Sequence, residues 1–319
     1  MRGDNKKEFD VIVVGELNVD LILNQLDSFP EIGKEKLADE MTFTLGSSSA
    51  IFASNLSSLG SNVAFIGKIG NDIFGQFCKD ELERKGVDTS MILIEDKIKT
   101  GATLVLNFED DRANVTYQGA MKYLSVDDIA DEMLAKGKHL HFSSYFLQTG
   151  FRNDLHILFD KAKKAGLTTS LDIQWDPAEK WNFDYKRILP SIDVFLPNEK
   201  ELLGLTRQNS IESAISAIKE YGNIIVVKRG KHGSLLCHEN ILIPCRAFAN
   251  EKIVDAIGAG DSFNAGFIFR YMQEQNPLEC QKFANLIGAI STTKAGGTTA
   301  FVNYQETMEI AKEKFGYEE

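Results

Sequence analysis

One short stretch, Asp255-Ala256-Ile257-Gly258-Ala259-Gly260-Asp261-Ser262-Phe263, joins residue types that suit acid–base chemistry beside an anion. Gly258, Ala259 and Gly260 are small enough for successive backbone N–H groups to turn toward one point. Phe263, Phe267 and Tyr271 then recur at helical spacing, so a helix is expected to start here. The first amides of a helix lack partners within it and its dipole end is positive, which suits a phosphate. Asp261 falls in that first turn. A carboxylate there would take a proton from a hydroxyl while the amides hold the phosphoryl group under attack. The same residues would equally make an Asp cap on a glycine-containing loop, so the stretch alone leaves both readings open.

The elements that must position it follow from pattern. Phe9 to Val14 is a run rich in β-branched residues, apolar but for Asp10 and ended by Gly15, and reads as a buried parallel strand, with Glu16, Asn18 and Asp20 directly after it. Polar residues at that end of a strand lie where open α/β sheets bind ligands. Short strands are expected at 21–23, 41–45, 103–108 and 115–117, the last two joined by the acidic turn Glu109-Asp110-Asp111, and these four form a small separate sheet. A helix from 49 to 59 stops at Gly60, and one from 71 to 85, with Ile73, Phe74, Phe77 and Leu82 inward, stops at Gly86. From Leu140 the alternation is regular: strands end at Phe142, Leu171, Leu196 and Val227, with helices at 154–165, 198–203 and 211–221. A hairpin at 235–243 and helices at 259–274, 277–293 and 304–315 close the chain. The pattern is that of an α/β, doubly wound parallel sheet carrying a small β insertion.

The 319 residues are 43% hydrophobic and 25% charged with only 6 Pro, which describes an ordinary globular chain. A net charge of −11 argues against nucleic acid or an anionic membrane as a partner. No apolar run is long enough to span a bilayer and the opening Met1 to Glu8 is too polar for a signal peptide, so a cytoplasmic protein is expected. The four cysteines have no C-x-x-C spacing and read as reduced structural thiols. His139 and His141 alternate along an apolar strand, where a core role outweighs metal binding. Neither a G-x-x-x-x-G-K-[ST] loop nor a G-x-G-x-x-G turn after the first strand occurs, which removes the usual P-loop and dinucleotide readings.

The 255–263 stretch resembles the C-terminal signature of the ribokinase-like (PfkB) carbohydrate kinases, Asp-Thr-x-Gly-Ala-Gly-Asp-x-Phe, with Ala256 in place of Thr. Six further matches follow in the family's order. They are Gly15 to Asp20, Gly46 to Gly60, Gly67 to Gly75, Pro197 to Glu201, Val227 to Gly233, and Phe283 to Asn285 with Lys294 to Gly297. The resemblance implies one kinase domain over 1–319, a Rossmann-like αβα body whose β-sheet lid is inserted around 16–47 and 98–123. It implies an ATP-dependent, magnesium-requiring transfer of the γ-phosphate to a sugar hydroxyl. Asp261 is then the general base, and the amides of Gly258, Ala259 and Gly260 form the anion hole. Asn198 and Glu201 match an Asn-x-x-Glu that orders magnesium through water, although such a pair also makes a helix cap. Lys228 stands where many members have Thr and would meet a phosphate of ATP, with Gly230 and Gly233 keeping that turn open. Asn285 and the turn from Lys294 to Gly297 are candidate adenine contacts, Asn285 serving equally as a helix-packing residue. Asp255 matches the monovalent-cation site of some members, but Ala300 stands where a hydroxyl ligand belongs, which argues against K+.

On the acceptor side, Asp20 aligns with the acidic residue that grips a vicinal diol, and Asn18 precedes it. Gly46 keeps one glycine of the family's pair, Ser47 replaces the second, and Ile51 stands where a sugar-binding Asn is usual. Gln118 occupies a place where fructokinases and keto-deoxygluconate kinases often carry Arg, and an amide reads neutral hydroxyls instead. Tyr117, Tyr145, Phe146 and Gln148 are further candidates for the sugar wall. The expected acceptor is a neutral fructose-like or ribose-like sugar. A nucleoside, or a binding protein of the same fold that has lost catalysis, is the alternative. Retention of Asp261 and its three small neighbours favours the enzyme. The lid segments Met41 to Leu45 and Thr103 to Phe108 read as exposed edges that would pair two copies in a homodimer.

Overall fold

The computed structural model describes residues 7–108 and 111–318. The opening segment 1–6 and part of the acidic turn, Glu109 and Asp110, lie outside the described residues. The strands are β1 (Phe9–Val14), β2 (Asn18–Asn24), β3 (Glu40–Leu45), β4 (Val63–Ile66), β5 (Lys68–Gly70), β6 (Leu93–Glu95) and β7 (Gly101–Phe108). They continue with β8 (Asp111–Tyr117), β9 (Gly137–Ser143), β10 (Thr168–Asp172), β11 (Val194–Phe195), β12 (Ile224–Lys228), β13 (Ser234–His238) and β14 (Ile241–Cys245). The helices are α1 (Ser48–Ser58), α2 (Ile73–Arg84), α3 (Asp131–Ala135), α4 (Leu155–Lys164) and α5 (Tyr185–Ile188). The rest are α6 (Glu199–Thr206), α7 (Ile211–Ile218), α8 (Ala259–Met272), α9 (Pro277–Ser291) and α10 (Tyr304–Phe315).

The central sheet has the order β14-β13-β12-β11-β10-β9-β1-β4. All pairs from β4 to β12 are parallel, and the β13–β14 hairpin is antiparallel. The sheet is therefore mixed at one edge. Helices cover both faces because β1 sends alternate residues to opposite sides: Ile12 and Val14 join one apolar cluster, and Val11 and Val13 the other. The chain winds from β1 to β4 on one side and then to β9 on the other, so the crevice between β1 and β9 is the switch point where such sheets open to ligands.

A second sheet, β3-β2-β7-β8, forms the lid. Its edges are β3 and β8, whereas β7 is paired on both sides, so the expected edge at 103–108 is instead interior. The register places Asp20, Thr44, Thr103 and Thr116 on one face and Leu21, Phe43, Leu104 and Val115 on the other. The apolar stripe of α2 meets that second face, Phe74 and Phe77 standing 5.7 and 4.4 Å from the Phe43 ring centre. Ile73, expected inward, is 80% exposed because it is the first residue after the Asp72 cap, ahead of the stripe.

His139 and His141 are fully buried, as a core role requires. His139 bridges Thr168 and Ser170 at 2.7 Å each, and His141 shares Ser170 at 2.7 Å while stacking on Phe52 of α1. Burial holds both imidazoles below their ordinary range, so they sit neutral in the core. Among the described residues no helix is long and apolar enough to cross a membrane.

Candidate active site

Helix α8 begins where the chain pattern placed it. Gly258 is its cap, with a left-handed φ of 73°, and a Cβ there would stand 2.7 Å from Gly297 Cα, so only glycine fits without displacement. Ser262 N–H makes the first intrahelical bond, to Gly258 O at 2.8 Å, which leaves the preceding amides at the open helix end. Of the three amides expected to form the anion hole, that of Ala259 also closes a turn onto Ala256 O at 3.3 Å. Asp261 in the first turn is 7% exposed. Its carboxyl is pushed up to about 8 by burial and by the nearby Asp172 charge, with Glu16 adding to the push, while Lys228 and a bond from Ser48 oppose it.

Behind Asp261 lies a buried polar hub that pattern reading did not find. Asp172, at the end of β10, has no exposure. Its Oδ2 accepts from Lys228 Nζ at 2.5 Å, Asn264 Nδ2 at 2.5 Å and Gln174 Nε2 at 3.1 Å. Gln174 Nε2 also donates to Asp261 Oδ1 at 3.0 Å. Burial lowers the proton affinity of Lys228, but the charges of Asp172 and Glu201 outweigh it and the ammonium is held above its ordinary range. Lys228 Nζ would be 3.7 Å from a Cβ placed on Gly260, so its charge sits beside the open end of α8.

Asn198 and Glu201 form the full capping box of α6: Glu201 N–H donates to Asn198 Oδ1 at 2.9 Å and Asn198 N–H to Glu201 Oε2 at 2.8 Å. Both also line the cavity, so the capping and ligand-facing readings coexist. Burial and the Asp172 charge push Glu201 up to about 7 against the pull of Lys228. Gly230 and Gly233 have left-handed φ values of 53° and 80°, and a Cβ on Gly233 would meet Cys245 O at 2.0 Å. Asn285 donates to Ser234 Oγ at 2.8 Å, tying α9 to β13, and also faces the cavity. Asp255 accepts from Ile257 N–H and Gly296 N–H, each at 2.9 Å, and so fastens the loop before α8 to the turn after Lys294.

On the lid side, Asn18 Nδ2 donates to Asp20 Oδ1 at 2.9 Å and Thr103 Oγ1 at 3.1 Å. Gly46 makes room for this pair, since its Cβ would come within 2.2 Å of Asp20 Oδ1. Ile51 is buried and wedges between Gly258 and Gly297, a packing role beside the open end of α8. Gln118 donates to Leu147 O at 2.8 Å and lines the cavity, as does Phe146. Tyr117 lies on the outer face of the lid, Tyr145 donates to Arg152 O at 2.6 Å, and Gln148 donates to Ser143 O at 2.6 Å. These three pack or point away and are removed from the sugar wall.

Ser47 explains its own departure from glycine. It caps α1 at φ 72°, accepting from Ala50 N–H at 3.0 Å and donating to Glu16 O at 2.5 Å. Ser47→Gly is expected to relax the backbone and lose the cap, two effects that nearly cancel, so thermal melts should show a stability change under about 1 kcal/mol.

One cavity of about 1410 Å³ joins these parts, running from Asp20 and Gln118 under the lid, past Asp261, to Lys228 and Asn285. It opens at the carboxyl ends of the central strands, where a small acceptor and a nucleotide would lie end to end. Residues 8–303 match the model of the pfkB family carbohydrate kinases. The chain belongs to that family. Among its relatives is an uncharacterised sugar kinase of Archaeoglobus fulgidus, 27% identical over 76% of this chain and 95% of that one. A nucleoside kinase of Methanothermobacter thermautotrophicus is 26% identical over 97% of both. An Escherichia coli protein described as a ribokinase II, solved with ATP and Mg2+, superposes with a TM-score of 0.81 at 22% identity, covering 95% of this chain and 99% of that one.

As a pfkB-family kinase the protein is a phosphotransferase with an alcohol group as acceptor, on a sugar or a nucleoside. Asp172, Gln174 and Asn264 were missed in this kinase because their roles depend on contacts across the sheet. The available signal was an Asp directly after the strand Thr168 to Leu171, at the ligand-binding edge.

Proposed function

We propose that the protein transfers the γ-phosphoryl group of ATP to a hydroxyl of a small neutral sugar, fructose-like or ribose-like. The observation that carries this is the buried Asp261 at the open end of α8, on the cavity wall across from the lid residues Asn18 and Asp20. Asp20 grips adjacent hydroxyls of the acceptor and Gln118 contacts neutral oxygen rather than an anionic group. Asp261 takes the proton of the attacking hydroxyl, whose oxygen bonds to the γ-phosphorus as the bond to the ADP oxygen breaks. The amides of Gly258, Ala259 and Gly260 hold the transferred group's oxygens, and Lys228 supplies positive charge beside them.

The oxygen donors of Asn198 and Glu201 fit a magnesium ion held through water, since Mg2+ keeps much of its water shell and takes few protein ligands. Among the described residues no cluster of three metal-ligating side chains is present, which agrees with an ion carried largely by phosphates and water. When bound, Mg2+ neutralises charge on the β- and γ-phosphates. Asn285 and the turn from Lys294 to Gly297 border the adenine. Asp255 is read as a fastener of that turn rather than a K+ ligand, because its oxygens accept amides of both segments and Ala300 stands where a hydroxyl ligand belongs. Met41, Leu104 and Val115 are exposed on the outer lid face and favour pairing of two lids in a homodimer, which light scattering tests.

The nucleoside alternative is favoured by the Methanothermobacter relative, matched over nearly the whole chain. ADP release measured with a panel of pentoses, hexoses and nucleosides separates the readings. Turnover highest with a neutral ketose or pentose is expected, and highest turnover with a nucleoside assigns the alternative. ATP binding without turnover of any member would leave a binding protein.

A further inference from the structure

Gln174 follows β10 by two residues and has a left-handed φ of 59°, a conformation that a long side chain rarely adopts. Its amide nitrogen lies between two carboxylates, 3.1 Å from Asp172 Oδ2 and 3.0 Å from Asp261 Oδ1. Only the NH2 end of an amide can face two carboxylates favourably, so the orientation is set by its surroundings, and both of its hydrogens are used. The far side of the bridge is rigid. Asp172 is also held by Lys228 and Asn264, and Asn264 Oδ1 in turn accepts from Lys228 at 3.2 Å. A carboxylate in the first turn of a helix can rotate about its last bond, and a base whose oxygen points away from the acceptor by even a small distance loses rate steeply.

We propose that Gln174 is a positioning residue for phosphoryl transfer, clamping one oxygen of Asp261 to the Asp172–Lys228–Asn264 hub so that the carboxylate plane is fixed toward the acceptor hydroxyl. The strained backbone at Gln174 places the amide nitrogen between the two acids. The inference rests on Asp261 as the base, the role assigned to it above.

Three variants separate positioning from structure. Gln174→Met keeps length without the donor, Gln174→Gly removes the side chain while relaxing the left-handed backbone, and Gln174→Asn keeps an amide on a residue that tolerates that backbone. If the role were only structural, Gly and Asn would equal or exceed the wild type. Under the clamp, kcat falls about 10- to 100-fold in Met and Gly, Asn retains more activity than either, and KM for ATP changes little. The acid limb of kcat/KM moves to higher pH in Met and Gly, because a hydrogen bond that favoured the ionised base is gone. Rates are read as ADP release from MgATP with the best sugar of the panel, and with water as acceptor, which needs no identified sugar. Circular dichroism and thermal melts confirm folding. Should Met fail to fold, the Gly and Asn variants give the same comparison. Wild-type kcat and an unmoved pH limb in Gly or Met, while Asp261→Asn is inactive, overturn the clamp alone. An active Asp261→Asn removes the base on which it rests.

Discussion

Asp261→Asn is expected to lower kcat by about 10²- to 10⁴-fold while MgATP affinity stays close to that of the wild type, because the lost group acts on the hydroxyl and not on the nucleotide. Steady-state rates and ATP titration together check this. Near-normal kcat would remove Asp261 from the role of base. The same carboxyl also shapes the pH profile. Its affinity for protons is raised to about 8 by burial and by Asp172, so the acid limb of wild-type kcat/KM lies near neutral pH instead of near pH 4. Stability carries the opposite mark. In acid the group is protonated in both folded and unfolded chains and costs nothing. Between its ordinary range and about pH 8 the unfolded chain has ionised while the folded one holds the proton, so stability is lost steadily across that window. Asn has no proton to lose, so the variant's advantage in melting temperature over the wild type is expected to grow from pH 5 to pH 9. An advantage independent of pH would show that burial of the ionised base carries no cost.

The parts of this site that were legible in the sequence are local. Three small residues before a helical apolar period define the start of α8, and the Asn198–Glu201 spacing of three defines a cap, because each depends on neighbours within one turn. The apolar alternation was equally legible, giving the central strands β1 and β9 to β12 and the edge hairpin. The lid was legible as a set of strands but not as an order, since pairing β7 between β2 and β8 is a tertiary choice that no single strand records. The helical stripe of α2 was visible, yet its partner, Phe43 of the lid, was not. The hub lay furthest from view. Asp172 and Lys228 are 56 residues apart and end strands that do not even pair, β11 lying between them. Lys228 therefore read as a strand end awaiting a phosphate, whereas it is buried and already paired with Asp172. The lysine has two places at once, balancing Asp172 and standing beside Gly260 at the open end of α8.

That double duty gives the second large effect. Lys228→Met removes the cation that Asp172 Oδ2 meets at 2.5 Å and leaves Asp172, Glu201 and Asp261 without a balancing cation in the hub. Removing one partner of a buried pair strands the other charge, and the expected loss is roughly 3–5 kcal/mol at neutral pH, read from urea melts. The loss should shrink in acid. Lys228 lowers the proton affinities of Glu201 and Asp261, so without it both acids hold their protons to still higher pH, and protonation relieves the repulsion. Lys228→Met combined with Asp172→Asn removes the stranded charge as well and is expected to recover most of the stability, because the asparagine can still accept from Gln174 and Asn264. Activity should not recover in parallel. The double variant lacks Asp172's upward push on Asp261, so its pH limb moves back down, but the positive charge beside Gly260 is still missing and kcat stays low. Recovery of stability without recovery of rate assigns Lys228 to both structure and transfer. Recovery of both would make the lysine a counterion for Asp172 alone, and a single variant as stable as the wild type at pH 7 would mean that the hub is wet enough to ionise without it.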